Sequence, residues 1–251
     1  MKVLFVYPEY QRGGFKPINI SLLSAILAQH GHERKLFDVS MYDIPIEGQI
    51  DDQSAAEGLL YFPKTEMPAV AFKSINVHYV EAFNNTLKEY EPDLVAFSTT
   101  SIPYVLVRNM VAGINVAKRP PLAIGGIHPT LCPEEVVESN LFDYICYGEG
   151  EEAIVAIMEH IAGGRSASDI SNVIVKENGE YIKNNKDSLI KDLDSMPFYD
   201  WSIFEDYHFW RPYQGKAYRM GEYMTSRGCP YQCLFCFYSK YFDSYKDVRK
   251  V

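Results

Sequence analysis

The chain has 251 residues, 47% of them hydrophobic, and a formal net charge of −9. That length fits one large domain or a domain plus a fragment, with enough apolar residues for a sizeable core. The acidic balance argues against a nucleic-acid surface, and no run approaches the roughly 18 apolar residues of a membrane-spanning helix.

The opening "MKVLFVYPEY" has one Lys and a short apolar run that stops at Pro8. It is too short for a signal peptide and reads as a buried strand, so a soluble, cytoplasmic chain is expected. Pro17 to Gly31 reads as a helix, with Pro in the first turn, Ile20, Leu23, Ile26 and Leu27 at helical spacing, and Gly31 as a stop. Arg34 to Ser40 reads as a second strand, and residues 41–75, with Pro45, Pro63 and Pro68, as an insertion or long connection. The alternation then resumes: helix from Val77, strand Asp93 to Thr100, helix Pro103 to Lys118, strand Pro121 to Ile127. A short helix Pro133 to Ser139, a strand Phe142 to Gly148 and a helix Glu151 to Gly164 follow.

This order predicts a doubly wound, flavodoxin-like parallel sheet of five strands, with ligands bound beyond the carboxyl ends of the strands. After Gly164 the character changes. Asn172 to Asn184 alternates around Asn178-Gly179 and predicts a β-hairpin. Asp192 to Phe204 reads as a Pro- and aromatic-containing linker, and "DWSIFEDYHFW" (Asp200 to Trp210) as packing between domains. Tyr223 to Phe242 reads as a strand running into a cysteine loop.

That loop, "SRGCPYQCLFCFYSK", carries Cys229, Cys233 and Cys236, three of the chain's five cysteines. An odd count with three clustered argues against a disulfide framework and for metal chemistry in a reducing compartment. Cys132 and Cys146 read as small semi-buried residues. Thiolates select zinc, Cu(I) and iron–sulfur clusters. A closed zinc site needs four ligands, yet the nearest preceding His is His208 and none follows. A three-cysteine loop can instead hold three irons of a [4Fe–4S] cluster and leave one open. Gly228 and Pro230 suit a tight loop.

The pattern CxxxCxxC, with Phe235 just before the third Cys, resembles the radical S-adenosylmethionine (SAM) motif. The resemblance implies that Cys229, Cys233 and Cys236 ligate three irons, that SAM binds the fourth, and that the backbone at Phe235 approaches the SAM adenine. It also implies cleavage of SAM to a 5′-deoxyadenosyl radical.

"AIGGIHPTLCPEEVVESNLFDYICYGEGEEAI" (Ala123 to Ile154) resembles the cobalamin-binding domain of B12-dependent radical SAM enzymes. The matching positions are the turn Gly125, Gly126, His128, Thr130 and the turn Gly148, Glu149, Gly150, Glu151. Glycines at strand ends permit close backbone approach, and helix N-termini favour an anionic group such as the nucleotide phosphate. Ser98, Thr99, Thr100 and Ser101 end a third strand and offer hydroxyl donors. Each has a plainer reading as well. His128 suits a satisfied turn histidine, Gly148-Glu149-Gly150 a helix start, and Ser98 to Ser101 a helix cap.

Many cobalamin domains carry a His after the first strand as lower cobalt ligand. Pro8 to Phe15 contains none, so bound cobalamin is expected base-off without a His ligand. Nitrogen superhyperfine splitting from an axial base in the EPR of the Co(II) form would contradict this. That loop also lacks the cysteines of a methylthiotransferase.

The resemblance implies three parts. Residues 1–165 form the cobalamin-binding Rossmann-like domain, 166–220 the connecting hairpin and linker, and 221–251 the beginning of a radical SAM partial TIM barrel. The rest of such a barrel would need on the order of 200 residues. The chain is therefore expected to be the N-terminal portion of a cobalamin-dependent radical SAM enzyme, inactive alone. The implied reaction of the parent is methyl transfer from methylcobalamin to an unactivated carbon or phosphorus of a small-molecule substrate. The alternatives are an oxidative cyclase of the anaerobic magnesium-protoporphyrin type and a non-catalytic cobalamin-binding module. An electron donor such as flavodoxin or ferredoxin is the implied partner.

Overall fold

The computed structural model describes residues 1–10, 17–42, 44, 75–184, 189–229, 231 and 233–238. Most of the first-strand loop, and residue 43 and residues 45–74 of the expected insertion, lie outside them.

Strand β1 (Lys2–Tyr7) leads through helix α1 (Ile18–Gln29) to β2 (Glu33–Asp38). Next come α2 (Tyr79–Tyr90), β3 (Leu94–Ser98), α3 (Tyr104–Ala112) and β4 (Leu122–Gly125). Two short helices, α4 (Ile127–Leu131) and α5 (Pro133–Ser139), precede β5 (Tyr144–Cys146) and α6 (Glu151–Ile161). Two hairpins follow, β6 (Val173–Glu177) with β7 (Glu180–Lys183), and β8 (Trp210–Tyr213) with β9 (Lys216–Arg219).

The main sheet has seven strands in the order β2-β1-β3-β4-β5-β6-β7. Its first five strands pair in parallel, and β6 and β7 add antiparallel at the β5 edge. The expectation of a five-stranded sheet followed by a separate hairpin is corrected accordingly. β5 is only three residues long, and Val173, Ile174 and Val175 cover the edge it would otherwise expose. The hairpin turns at Asn178 (φ 53°) and Gly179 (φ 86°), the two positive φ values of a type I′ turn. β8–β9 turns the same way at Gln214 and Gly215. The expected strand at Tyr223 is also corrected: residues 220–229 carry no regular secondary structure. Instead of a strand ladder, Met224 exchanges hydrogen bonds with the Tyr199 hydroxyl.

Alternation along the strands builds two cores, because successive side chains point to opposite faces. Leu4, Val6, Val95, Phe97, Leu122 and Ile124 pack under α2, α3 and α5 against Phe83, Met110 and Val136. Val3, Phe5, Leu94, Ala96 and Ala123 face α1 and α6 and pack with Ile20, Leu27, Ile154 and Ile157. This second face carries two alanines at its centre.

Asp200 anchors the linker to α1 and β2. Its carboxylate accepts from Ser24 Oγ (2.7 Å) and Arg34 Nη2 (2.9 Å). Burial opposes its ionisation, but hydrogen bonds from Ser202, Ser24 and Arg34 outweigh that and hold the carboxyl at about 2. A depressed folded-state value gives stability that is present above the unfolded pKa and lost as pH falls through the folded one. Asp200→Asn is therefore expected to lower unfolding free energy by about 1–2 kcal/mol at neutral pH. The deficit should shrink as pH falls from about 4 towards 2, as read by urea melts at each pH. A deficit that stays constant across that range would contradict the assignment.

Candidate functional site

A cavity of about 740 Å³ opens at the carboxyl ends of the parallel strands. It reaches inward between the sheet and helices α1 and α6, over Phe5, Ala96, Ala123 and Ile157. The two alanines leave the space that larger side chains would fill.

Ser98, Thr99 and Thr100, at the end of β3, all line it. Ser98 Oγ accepts a hydrogen bond from Asn19 of α1. Thr99 is buried; its amide donates to Gly125 O (3.0 Å) and its carbonyl accepts from His128 N (3.3 Å). Gly125 and Gly126 form the next part of the wall. Gly126 has φ 104° and ψ −164°, a region open essentially to glycine alone. Gly148, Glu149 and Gly150 follow from β5 and lead into α6. Thr130 ties the two glycine turns together: its hydroxyl donates to Gly126 O (2.7 Å) and accepts from Gly148 N (3.1 Å). α4, which sequence reasoning treated as part of a turn, places that hydroxyl.

His128 stands elsewhere. Its ring is not part of the cavity lining but is buried behind the turn, 4.1 Å between centroids from Tyr104. Nδ1 lies 3.1 Å from Ser101 Oγ. Burial lowers its pKa below the ordinary imidazole value, and Glu135 offsets this in part.

The C-terminal segment completes the cavity through Met224, Ser226, Arg227, Gly228, Phe237 and Tyr238. Arg227 was given no role by sequence, yet it joins the halves of the site. Its guanidinium meets Glu149 at 3.1 Å and bonds Glu151 as well. All three side chains are at most 14% exposed. Burial opposes the charge of Arg227, but Glu151 and Glu149 raise its pKa above the ordinary value. Glu149 accepts in addition from Ile190 N at 2.7 Å.

Cys229 and Cys236 are half-buried, Cys233 is exposed, and none is in a disulfide. Phe235 is exposed. Three soft thiols on one accessible loop, opened by Gly228 at φ 107°, are a donor set that fits an iron–sulfur cluster. Their sulfurs are not gathered within ligand distance of one another; among the described residues only His128, Cys132 and Glu135 are so gathered. Cys146 lies in the core, where burial pushes its thiol up to about 12 and makes it an inert residue.

Residues 66–158 match the family model described as the B12 binding domain. An uncharacterised methyltransferase of Pyrococcus horikoshii is 29% identical over 152 residues, 60% of this chain and 32% of that protein. The anaerobic magnesium-protoporphyrin IX monomethyl ester cyclase of Cereibacter sphaeroides is 25% identical over 100% of this chain and 37% of its own length. Among solved structures, the radical SAM methyltransferase TsrM of Kitasatospora setae, with cobalamin and [4Fe–4S] cluster bound, aligns with TM-score 0.54 at 18% identity. That alignment covers 78% of this chain and 30% of the other. The chain thus carries a stretch that matches a B12 binding domain and shares the fold of the corresponding part of that methyltransferase. It spans about a third of the length of these curated relatives. No helix among the described residues is long and apolar enough to cross a membrane.

Proposed function

We propose that this chain supplies the corrinoid-binding half and the cluster loop of a radical SAM methyltransferase acting on a small molecule. One observation carries the reading. A single cavity is walled on one side by the strand-end turns and on the other by residues flanking the three cysteines. Such an arrangement would face a corrin towards a cluster and the SAM bound to it. Ser98, Thr99, Thr100, Gly125, Gly126, Gly148, Glu149 and Gly150 would be the corrinoid contacts. Backbone amides and hydroxyls at strand ends suit the polar groups of such a ligand, and the apolar inner end suits its flat nucleotide base. His128 would act from behind, by holding the turn. Cys229, Cys233 and Cys236 would hold the cluster, and Phe235 would line the SAM site. When bound, the cluster and SAM would supply a substrate radical, and the corrinoid the methyl group. The electron would come from a small carrier such as a flavodoxin or ferredoxin.

Anaerobic reconstitution of the full chain with iron, sulfide and hydroxocobalamin tests the binding half. Iron–sulfur absorption together with retained corrinoid is expected. Retention of neither would reject the reading. A second reading is favoured by the cyclase that aligns over 100% of this chain. Product analysis with methyl-labelled SAM separates the two, because a cyclase would leave no label in product.

A further inference from the structure

We propose that His128, Cys132 and Glu135 form a zinc-class metal site on the outer side of the turn that walls the cavity. Their ligand atoms, the imidazole nitrogen, the thiol sulfur and a carboxylate oxygen, all lie within 4.8 Å of one another. The local fold brings this about. His128 and Cys132 are four residues apart across α4, so both face the same way, and the His128 carbonyl accepts from Cys132 N at 2.9 Å. Pro133 then starts α5, whose first turn presents Glu135.

The second observation is His128 itself. Its side chain is 4% exposed, and Nε2 is buried with no hydrogen-bond partner. Glu135 Oε2 is 3.8 Å away, too far for a hydrogen bond. Nδ1 is meanwhile engaged by Ser101 Oγ at 3.1 Å. That is the arrangement of a metal-bound imidazole, in which an outer partner fixes the ring and leaves the other nitrogen for the ion. One imidazole, one thiolate and one carboxylate are a zinc donor set, with the fourth position open to water. Cys132 and Glu135 are more exposed than His128, which gives the ion a path in. The ion would pin α4 to α5 and so brace Ile127, Thr130 and Leu131, which line the cavity. This site shares no ligand with the cysteine loop and does not depend on a corrinoid.

The test uses the full chain carrying Cys229→Ala, Cys233→Ala and Cys236→Ala, purified without cobalamin and stripped with a chelator. Co(II) is titrated as a spectroscopic stand-in for zinc. Expected are thiolate-to-cobalt charge-transfer and strong d–d bands that saturate at about one ion per chain and disappear when zinc is added. Adding Cys132→Ser should abolish the charge-transfer band while circular dichroism is unchanged. Ser101→Ala should weaken binding by about 10–100-fold through the lost bond to Nδ1. Absence of saturable binding by the folded chain, or a charge-transfer band that survives Cys132→Ser, would overturn the proposal.

Discussion

Replacing Gly126 with alanine is expected to cost about 3 kcal/mol or more of folding stability. Two effects add. The backbone at φ 104°, ψ −164° is strained for any residue with a side chain. The new methyl would also stand 2.6 Å from the Thr99 carbonyl oxygen and 2.9 Å from its nitrogen. Both are backbone atoms held in place, the nitrogen by Gly125 O and the oxygen by His128 N. Neither can move aside without opening the join between β3 and β4. Gly125 is the control. A methyl there would meet only Cys146 Cβ at 3.6 Å, an ordinary contact, and Gly125→Ala should cost under about 1 kcal/mol. Denaturant melts of the two variants decide the matter, and equal losses would refute the steric argument.

Removing the guanidinium of Arg227 is the second large effect. Arg227→Ala leaves Glu149 and Glu151 buried without their shared cation, and breaking such a buried pair costs about 3–5 kcal/mol. Part of that cost can be relieved if the segment beyond Arg227 lets go of the cavity and water reaches the two carboxylates. The expected signature is therefore double: lower stability, and faster amide exchange over residues 220–229. Arg227→Lys should restore little, because one ammonium cannot match the fork that reaches both carboxylates. Adding Glu149→Gln and Glu151→Gln to Arg227→Ala should recover much of the stability, since no buried charge then lacks a partner. A single variant with unchanged exchange in 220–229 would show that the pair does not hold the segment.

The αβ alternation was legible because both of its signals are local. Runs such as "KVLFVY" and "LVAFS" are apolar but for one terminal residue each, as befits strands covered on both faces. The Asn178-Gly179 turn was legible for the same reason, since a type I′ turn is defined by two adjacent residues. Where that hairpin goes was not legible. Its pairing with β5 depends on an open sheet edge brought there by residues far away in sequence.

The two glycine turns at the cavity were likewise readable, because glycines at strand ends are a local signal. The sequence alone determined a mostly parallel α/β sheet and, after it, three cysteines spaced closely on one loop. It also determined which strand ends carry the glycines. Only the tertiary structure decided that Arg227 closes on Glu149 and Glu151, because ion pairing across 76 residues leaves no periodic trace. It also decided that His128 turns away from the cavity, towards Ser101, Cys132 and Glu135. A strand-end motif specifies the path of the backbone. The direction of a side chain depends on the packing behind it, and that packing exists only once the elements have come together.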